Sequence, residues 1–389
     1  MKLGNISLTK STPVLATAVV AALMAMGSPA QVQAQQGLQA KISGQVNRAL
    51  MVVDDGGKSD TFFVDNDNSS TRFRFVGSAD VIPGLKAGLL WEVEFQGNDS
   101  NLVSMNARDT GSPTFQERHT AVFVEGGWGK LTLGQTDGAA NGGVEVDLSG
   151  TMVAHYAGNT DIGGGFRFRN SAGVLSGPTI AQSSNQQDFE SRYDLVRYDT
   201  PVFGGFRVAG SVGTKSTTTT TLTAPAGGGT VTSTSNTVSG DVQELALWYG
   251  GSLGAFGRLA GAIGWSQKDV AAGEDEVTGG SISWLHGSGF NATFGRTERD
   301  DPTAVGREKK FSYVKLGYKA AKHAVSVDFG RGKDQAAAGD EADFYGVAYV
   351  WTPVGWADFY AMLKRHTLDR PGASFQDIDV AMVGTRVRF

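Results

Sequence analysis

A two-residue alternation of apolar and polar side chains, repeated in short segments along nearly the whole chain, constrains this sequence more than any other feature. In "KAGLLWEVEFQ", Ala87, Leu89, Trp91, Val93 and Phe95 fall on one face of an extended strand, with Gly88, Leu90, Glu92, Glu94 and Gln96 on the other. "STRFRFVG" sets Phe73 and Phe75 against Arg72 and Arg74, and "FSYVKLGY" sets Val314 and Leu316 against Tyr313 and Lys315. "WADFYAMLK" opposes Ala357, Phe359, Ala361 and Leu363 to Asp358, Tyr360 and Lys364. The chain ends in "AMVGTRVRF", a strand with one apolar face closed by Phe389 and one face carrying Arg386 and Arg388. Such faces turn inward in a soluble sandwich and outward, to lipid, in a membrane barrel.

The connections choose between the two. Short turns such as "VIPGLK", "GGWGK", "PVFGG", "GSLGAF", "HGSGF", "KAAKH" and "PVGWA" alternate with long polar stretches. The long set includes "DDGGKSDTFFVDNDN", the stretch from Thr136 to about Phe189, and the Thr/Gly tract at 216–236, which is expected to be a mobile external loop. Short turns at one end and long loops at the other are the layout of an outer-membrane barrel. About sixteen strands are expected, starting near Leu38, Ser70, Lys86, Gln116, Lys130, Ser191, Gly205, Asp241, Phe256, Val277, Phe290, Lys309, His323, Glu341, Trp356 and Asp377. A soluble sandwich or β-solenoid would bury its apolar faces against one another and would not sort its loops by length. In lipid, a closed barrel is the β solution that leaves no backbone group unpaired.

Residues 1–34 read as a secretory signal: Lys2 and Lys10, an apolar run over roughly 14–26, and "VQA" at 32–34 as a cleavage site. The run is shorter than the ~20 apolar residues of a spanning helix, so residues 35–389 are expected to form a single barrel domain in the outer membrane. Without Lys2 and Lys10 the net charge moves from −5 to −7. That acidity argues against a nucleic-acid partner. The absence of cysteine excludes thiolate metal sites and cysteine nucleophiles.

Several motifs have bland readings. "GGSLG", centred on Ser252, fits a hydrolase elbow in pattern but lies between two alternating strands, where a turn is expected and catalysis is not. The five histidines have neither the i, i+4 pairing nor the His-x-Glu context of zinc sites. "DNDNSS" at 65–70 starts like a calcium loop but lacks its glycine and distal glutamate, so calcium in the external loops would be incidental and no cofactor is expected. Trp265, Trp284, Phe290, Tyr318, Tyr349, Trp351 and Phe389 have outward parity near strand ends, as interface girdles do. Inward parity falls on Trp248, Tyr313 and Tyr360, too few for a continuous sugar slide. Charge recurs on the inward parity at Glu244, Arg258, Lys315, Arg386 and Arg388.

Three stretches resemble the trimeric general-diffusion porins of Gram-negative outer membranes: "STRFRFVGSADVIPGLKAGLLWEVEFQGN", "ERHTAVFVEGGWGKLTLGQ" and "SRYDLVRYDTPVFGGF". The terminal Phe389 is similar to the aromatic that the barrel-assembly machinery reads in that family. The resemblance implies a sixteen-stranded barrel, a homotrimer in contact with lipid and lipopolysaccharide, and a third loop folded into the lumen. It implies a water-filled channel for passive diffusion of small hydrophilic solutes and ions, with no catalysis. In that family loop carboxylates face wall arginines at the constriction. Here the loop candidates are Asp137, Glu145, Asp147 and Asp161, and the wall candidates Arg72, Arg74, Arg118 and Arg197. Leu90 and Gln135 stand where relatives carry arginines, which weakens the positive side and points to mild cation preference. A substrate-specific porin, and a plugged barrel acting as a surface or adhesion protein, are the alternatives.

Overall fold

The alternating segments are strands in the computed structural model, which describes residues 37–110, 114–223 and 232–389. The signal segment lies outside these residues. The barrel strands are β1 (Gln39–Asp54), β2 (Arg72–Ile82), β3 (Leu85–Gln96), β4 (Thr114–Gly126), β5 (Gly129–Asp137), β6 (Arg192–Asp199), β7 (Phe206–Thr223) and β8 (Thr232–Ser252). They continue as β9 (Arg258–Val270), β10 (Gly273–Leu285), β11 (Phe290–Asp300), β12 (Lys309–Ala320), β13 (His323–Lys333), β14 (Glu341–Val354), β15 (Ala357–Arg370) and β16 (Ile378–Arg388). Each pairs antiparallel with its sequence neighbour, and β1 closes the sheet by pairing with β16 from Gln45↔Arg388 to Asp54↔Asp379. At the seam, Phe389 and Gly44 exchange both backbone hydrogen bonds, at 3.0 Å each. Closure leaves no sheet edge, the condition that lipid imposes.

Parity sets the two surfaces. On β15, Leu363 is 59% exposed on the outside while its neighbour Lys364 is buried on the inside. Trp91, Leu133, Ile263, Leu316 and Val383 share that outer apolar face. Aromatic pairs collect at the strand ends: Trp128 stacks on Tyr198, Phe290 meets Tyr318, and Trp351 meets Phe359. The turn through Pro83 needs Gly84 at φ 83°, a conformation that side chains disfavour.

Three connections differ from expectation. The Asp-rich stretch is a tight turn, not a long loop: Asp54 pairs with Ser59, and a strand over Ser59–Asp65 continues along β1. Carboxylates close that turn, with Asp54 Oδ1 accepting from Gly56 N at 2.8 Å and Asp55 Oδ1 from Lys58 N at 2.8 Å. The Thr tract extends β7 and β8 as a hairpin paired to Thr223↔Thr232, so β8 begins at Thr232 rather than near Asp241. The middle of the tract, 224–231, lies outside the described residues. The external connection between β9 and β10 is a turn paired at Val270↔Gly273, which starts β10 ahead of Val277.

Candidate functional site

The segment between β5 and β6, loop 3, folds into the lumen and covers one side of the wall. Its Phe166, Phe168, Ile162 and Ile180 join Met51, Met362, Val380 and Met382 of β1, β15 and β16 in one buried apolar cluster. A second cluster sets Val144 and Phe189 against Val277, Phe311 and Phe344 of β10, β12 and β14. Polar fastenings alternate with these. Lys315 Nζ sits 2.6 Å from Asp147 Oδ2, Thr151 bonds Ser326 at 2.8 Å, and Ser281 and Ser283 accept from the amides of Val146 and Leu148. Where loop 3 returns to the wall, Gln187, Phe189 and Ser191 take φ of 58°, 45° and 57°. Glu244 holds this return by accepting from the amides of Ala140 at 2.8 Å and Glu190 at 3.1 Å.

The wall from β2 to β6 carries the four predicted arginines, and a cavity of about 700 Å³ touches Arg74, His119, Asp137 and Arg197 there, with Arg207 of β7 at its side. Arg72, Arg74 and Arg118 converge on buried Glu92, at 3.4, 2.5 and 2.7 Å, and Arg118 also reaches Glu94 at 2.5 Å. Strand register explains the convergence, because Arg74 lies opposite Glu92 and Arg72 opposite Glu94, while a bulge on β4 brings Arg118 alongside. Arg197 forks onto Asp199, both contacts 2.8 Å, and donates to the carbonyls of Asp137 and Gly138.

The predicted loop carboxylates do not pair with these arginines among the described residues. Asp137 takes Arg192 at 3.0 Å, Glu145 accepts from Gln186 at 3.0 Å, Asp147 holds Lys315, and Asp161 accepts the Tyr156 hydroxyl. Asp67 and Asp188 were not among the candidates and join this acidic side. Asp188 accepts from the amides of Gly142 and Val144, and Asp67 from Asn101 at 2.6 Å. Burial, then the nearby Asp161 and Glu94, raises Asp67 to about 8. Burial raises Asp161 and Asp188 to about 6 against the bonds they accept, and pushes Glu145 well up with Asp188 beside it. The sequence signal for Asp67 was "DNDNSS", read as an external loop; Asp188 sits one residue before the predicted loop end.

Ser252 ends β8, and a 3-10 turn over Gly254–Phe256 follows it. Among the described residues no group of three or more histidines, aspartates or glutamates is arranged to hold a metal.

Residues 16–370 match the family described as Gram-negative porin. The chain belongs to that family. The porin is 28% identical over 158 residues to outer membrane protein U of Vibrio cholerae serotype O1, a stretch that spans 38% of this chain and 41% of that protein. Among solved structures it is similar to the anion-selective porin from Comamonas acidovorans, with a TM-score of 0.60 at 18% identity over 91% of this chain and 100% of that one. It is similar too to OmpT of Vibrio cholerae in its trimer form, with a TM-score of 0.52 at 13% identity over 91% and 100%. At these identities the two structures share the porin's fold.

Proposed function

We propose that the porin conducts small hydrophilic solutes and ions by passive diffusion along the wall of β2 to β6, through a constriction between Arg72, Arg74, Arg118 and Arg197 and the acidic side of loop 3. The observation that carries this reading is the asymmetry of the lumen: apolar clusters fill the side under loop 3, while the opposite wall bears charged side chains and a cavity. A sixteen-stranded barrel is too wide for wall side chains to fill, so water occupies what loop 3 leaves. Charges of opposite sign across a narrow aqueous gap orient dipolar solutes and make apolar ones costly to admit.

Arg72, Arg74 and Arg118 are largely offset by Glu92 and Glu94. Asp161 and Asp188 then tip the constriction toward mild cation preference above about pH 6. The chain assembles as a homotrimer in this reading, is exported by a leader cleaved near residue 34, meets lipopolysaccharide with its outer rim, and presents Phe389 to the barrel-assembly machinery. The resemblance and the outer aromatic pairs support these steps.

Single-channel current of the detergent-purified protein in a planar bilayer, under a KCl gradient, tests the proposal. Conducting steps that close in threes, with a reversal potential favouring potassium, are expected. Stable insertion without current would replace it with the plugged surface protein, and saturable block by one solute with the substrate-specific channel.

A further inference from the structure

At the external mouth, away from the arginine wall, a second cavity of about 550 Å³ opens between loop 3 and the ends of β11, β12 and β15. Its size falls within the range of small-molecule sites. Four cations line it, Arg167, Arg299, Lys309 and Arg370, together with the amides of Gln182 and Asn185, and no carboxylate is among its described lining residues. The cavity beside β2 to β6 instead mixes Arg74, Lys86, Lys130, Arg197 and Arg207 with Asp80, Glu125, Asp137 and Asp199.

The carboxylates that hold three of these cations stand behind them. Arg370 lays Nε and Nη2 on Asp340, both at 2.6 Å, and Arg299 uses the same edge on Asp275. In each case Nη1 is left for another acceptor. Lys309 contacts Asp301 at 2.5 Å. The side chains of Arg299, Lys309 and Arg370 are only 20–26% exposed, so their donors are fixed and partly desolvated. Arg167 has no carboxylate partner among the described residues; Nη1 donates to the Gly177 carbonyl at 2.5 Å, leaving Nε and Nη2. One unneutralised guanidinium, and three cations that line the cavity while Asp275, Asp301 and Asp340 do not, give it a positive potential, which Glu190, 4.0 Å from Arg299, reduces in part.

We propose that this cavity binds a small anion carrying phosphate groups. Its donors arrive from four separate elements, so a ligand with acceptors in several directions satisfies more of them than a flat monocarboxylate, which engages one guanidinium fork. Guanidinium edges match phosphate oxygens in pairs. The site lies apart from the constriction and does not depend on the channel conducting.

Calorimetric titration of the full-length, detergent-purified protein with inorganic pyrophosphate tests it. Saturable binding of one pyrophosphate per chain is expected, weakened at least tenfold by Arg167→Gln with Arg370→Gln. Arg258→Gln with Lys322→Gln removes the same charge at the opposite end and should leave affinity unchanged. Arg167→Gln alone, at an exposed position that starts the short strand Arg167–Arg169 within loop 3, should weaken binding several-fold and covers the case in which the double variant misfolds. Absence of saturable heat, or equal loss in both double variants, would overturn the assignment. Lipopolysaccharide that displaces pyrophosphate would identify the phosphate as a lipid headgroup's; failure to displace it would identify a soluble solute.

Discussion

Lys315 reaches out of β12 to place Nζ 2.6 Å from Asp147 Oδ2 and 2.7 Å from the carbonyl oxygen of His155, with both charged side chains buried between wall and loop. Removing one partner of such a pair leaves an uncompensated charge, at a cost of about 3–5 kcal/mol. Lys315→Met should therefore lower the temperature at which the folded band is lost on detergent gels and add flicker to single-channel records. Unaltered melting together with quiet currents would show that the pair fastens nothing.

Glu92 is the shared counter-ion of three arginines. Glu92→Gln keeps the shape and deletes the charge, leaving Arg72 and Arg74 without a carboxylate in contact. The potassium-to-chloride permeability ratio should fall roughly twofold, read from the reversal potential in a KCl gradient. A ratio equal to that of the parent would mean that ions do not pass this wall.

Acid should act in a fixed direction on the carboxyls of loop 3 and on Asp67, which lies in the connection between β1 and β2. Asp161 and Asp188 titrate near 6 and Asp67 near 8, all raised first by burial. A carboxyl whose pKa is raised by folding binds its proton more tightly when folded. Its stabilisation is complete below the ordinary value near 4 and is lost as pH rises through the folded pKa. Melting temperature should thus rise as pH falls from 9 to 7, while below about 6.5 the buried His155, held neutral by burial and by Lys364 and Lys315, opposes the gain; cation preference should fade from pH 8 to 5. A melting temperature that instead falls steadily from pH 9 to 5 would contradict these values.

Gly44 lies under the ring of Phe389, where an added Cβ would stand 2.6 Å from the ring and 2.7 Å from the carbonyl oxygen of Arg72. Gly44→Ala should overpack the seam and destabilise the folded barrel by about 1–3 kcal/mol. Phe389→Ala removes the ring and keeps both backbone bonds, so it should slow assembly in cells more than it lowers melting of the protein once folded. Equal losses in both measurements would make Phe389 a packing residue alone.

Strand parity was legible in the sequence because a period of two is a local property: Leu363 and Lys364 point apart whatever the rest of the chain does. Turns such as that at Gly84 were legible for the same reason. The proposed constriction was only half legible. Arg72, Arg74, Arg118 and Arg197 lie on the predicted wall, yet their partners proved to be Glu92, Glu94 and Asp199, set by register and by a bulge. Asp147 and Lys315 are 168 positions apart and meet through the path of a loop that has no period. The Thr tract misled in its described part because its composition is that of a linker, while backbone pairing of β7 with β8 carries on to Thr223↔Thr232.

The apolar cluster that seats loop 3 draws Ala49, Met51 and Val53 from the first strand and Ile378, Val380 and Met382 from the last. Its socket is therefore assembled from the two ends of the chain and is absent until they meet. Until then Phe166, Phe168 and Ile180 have only the β14 and β15 part of that socket to pack against, around Ala348 and Met362, and transiently bare surface of this kind is what aggregation begins from. Docking of the loop is thus tied to sealing of the cylinder, and the middle of the chain keeps apolar side chains bare for as long as the two termini stay apart.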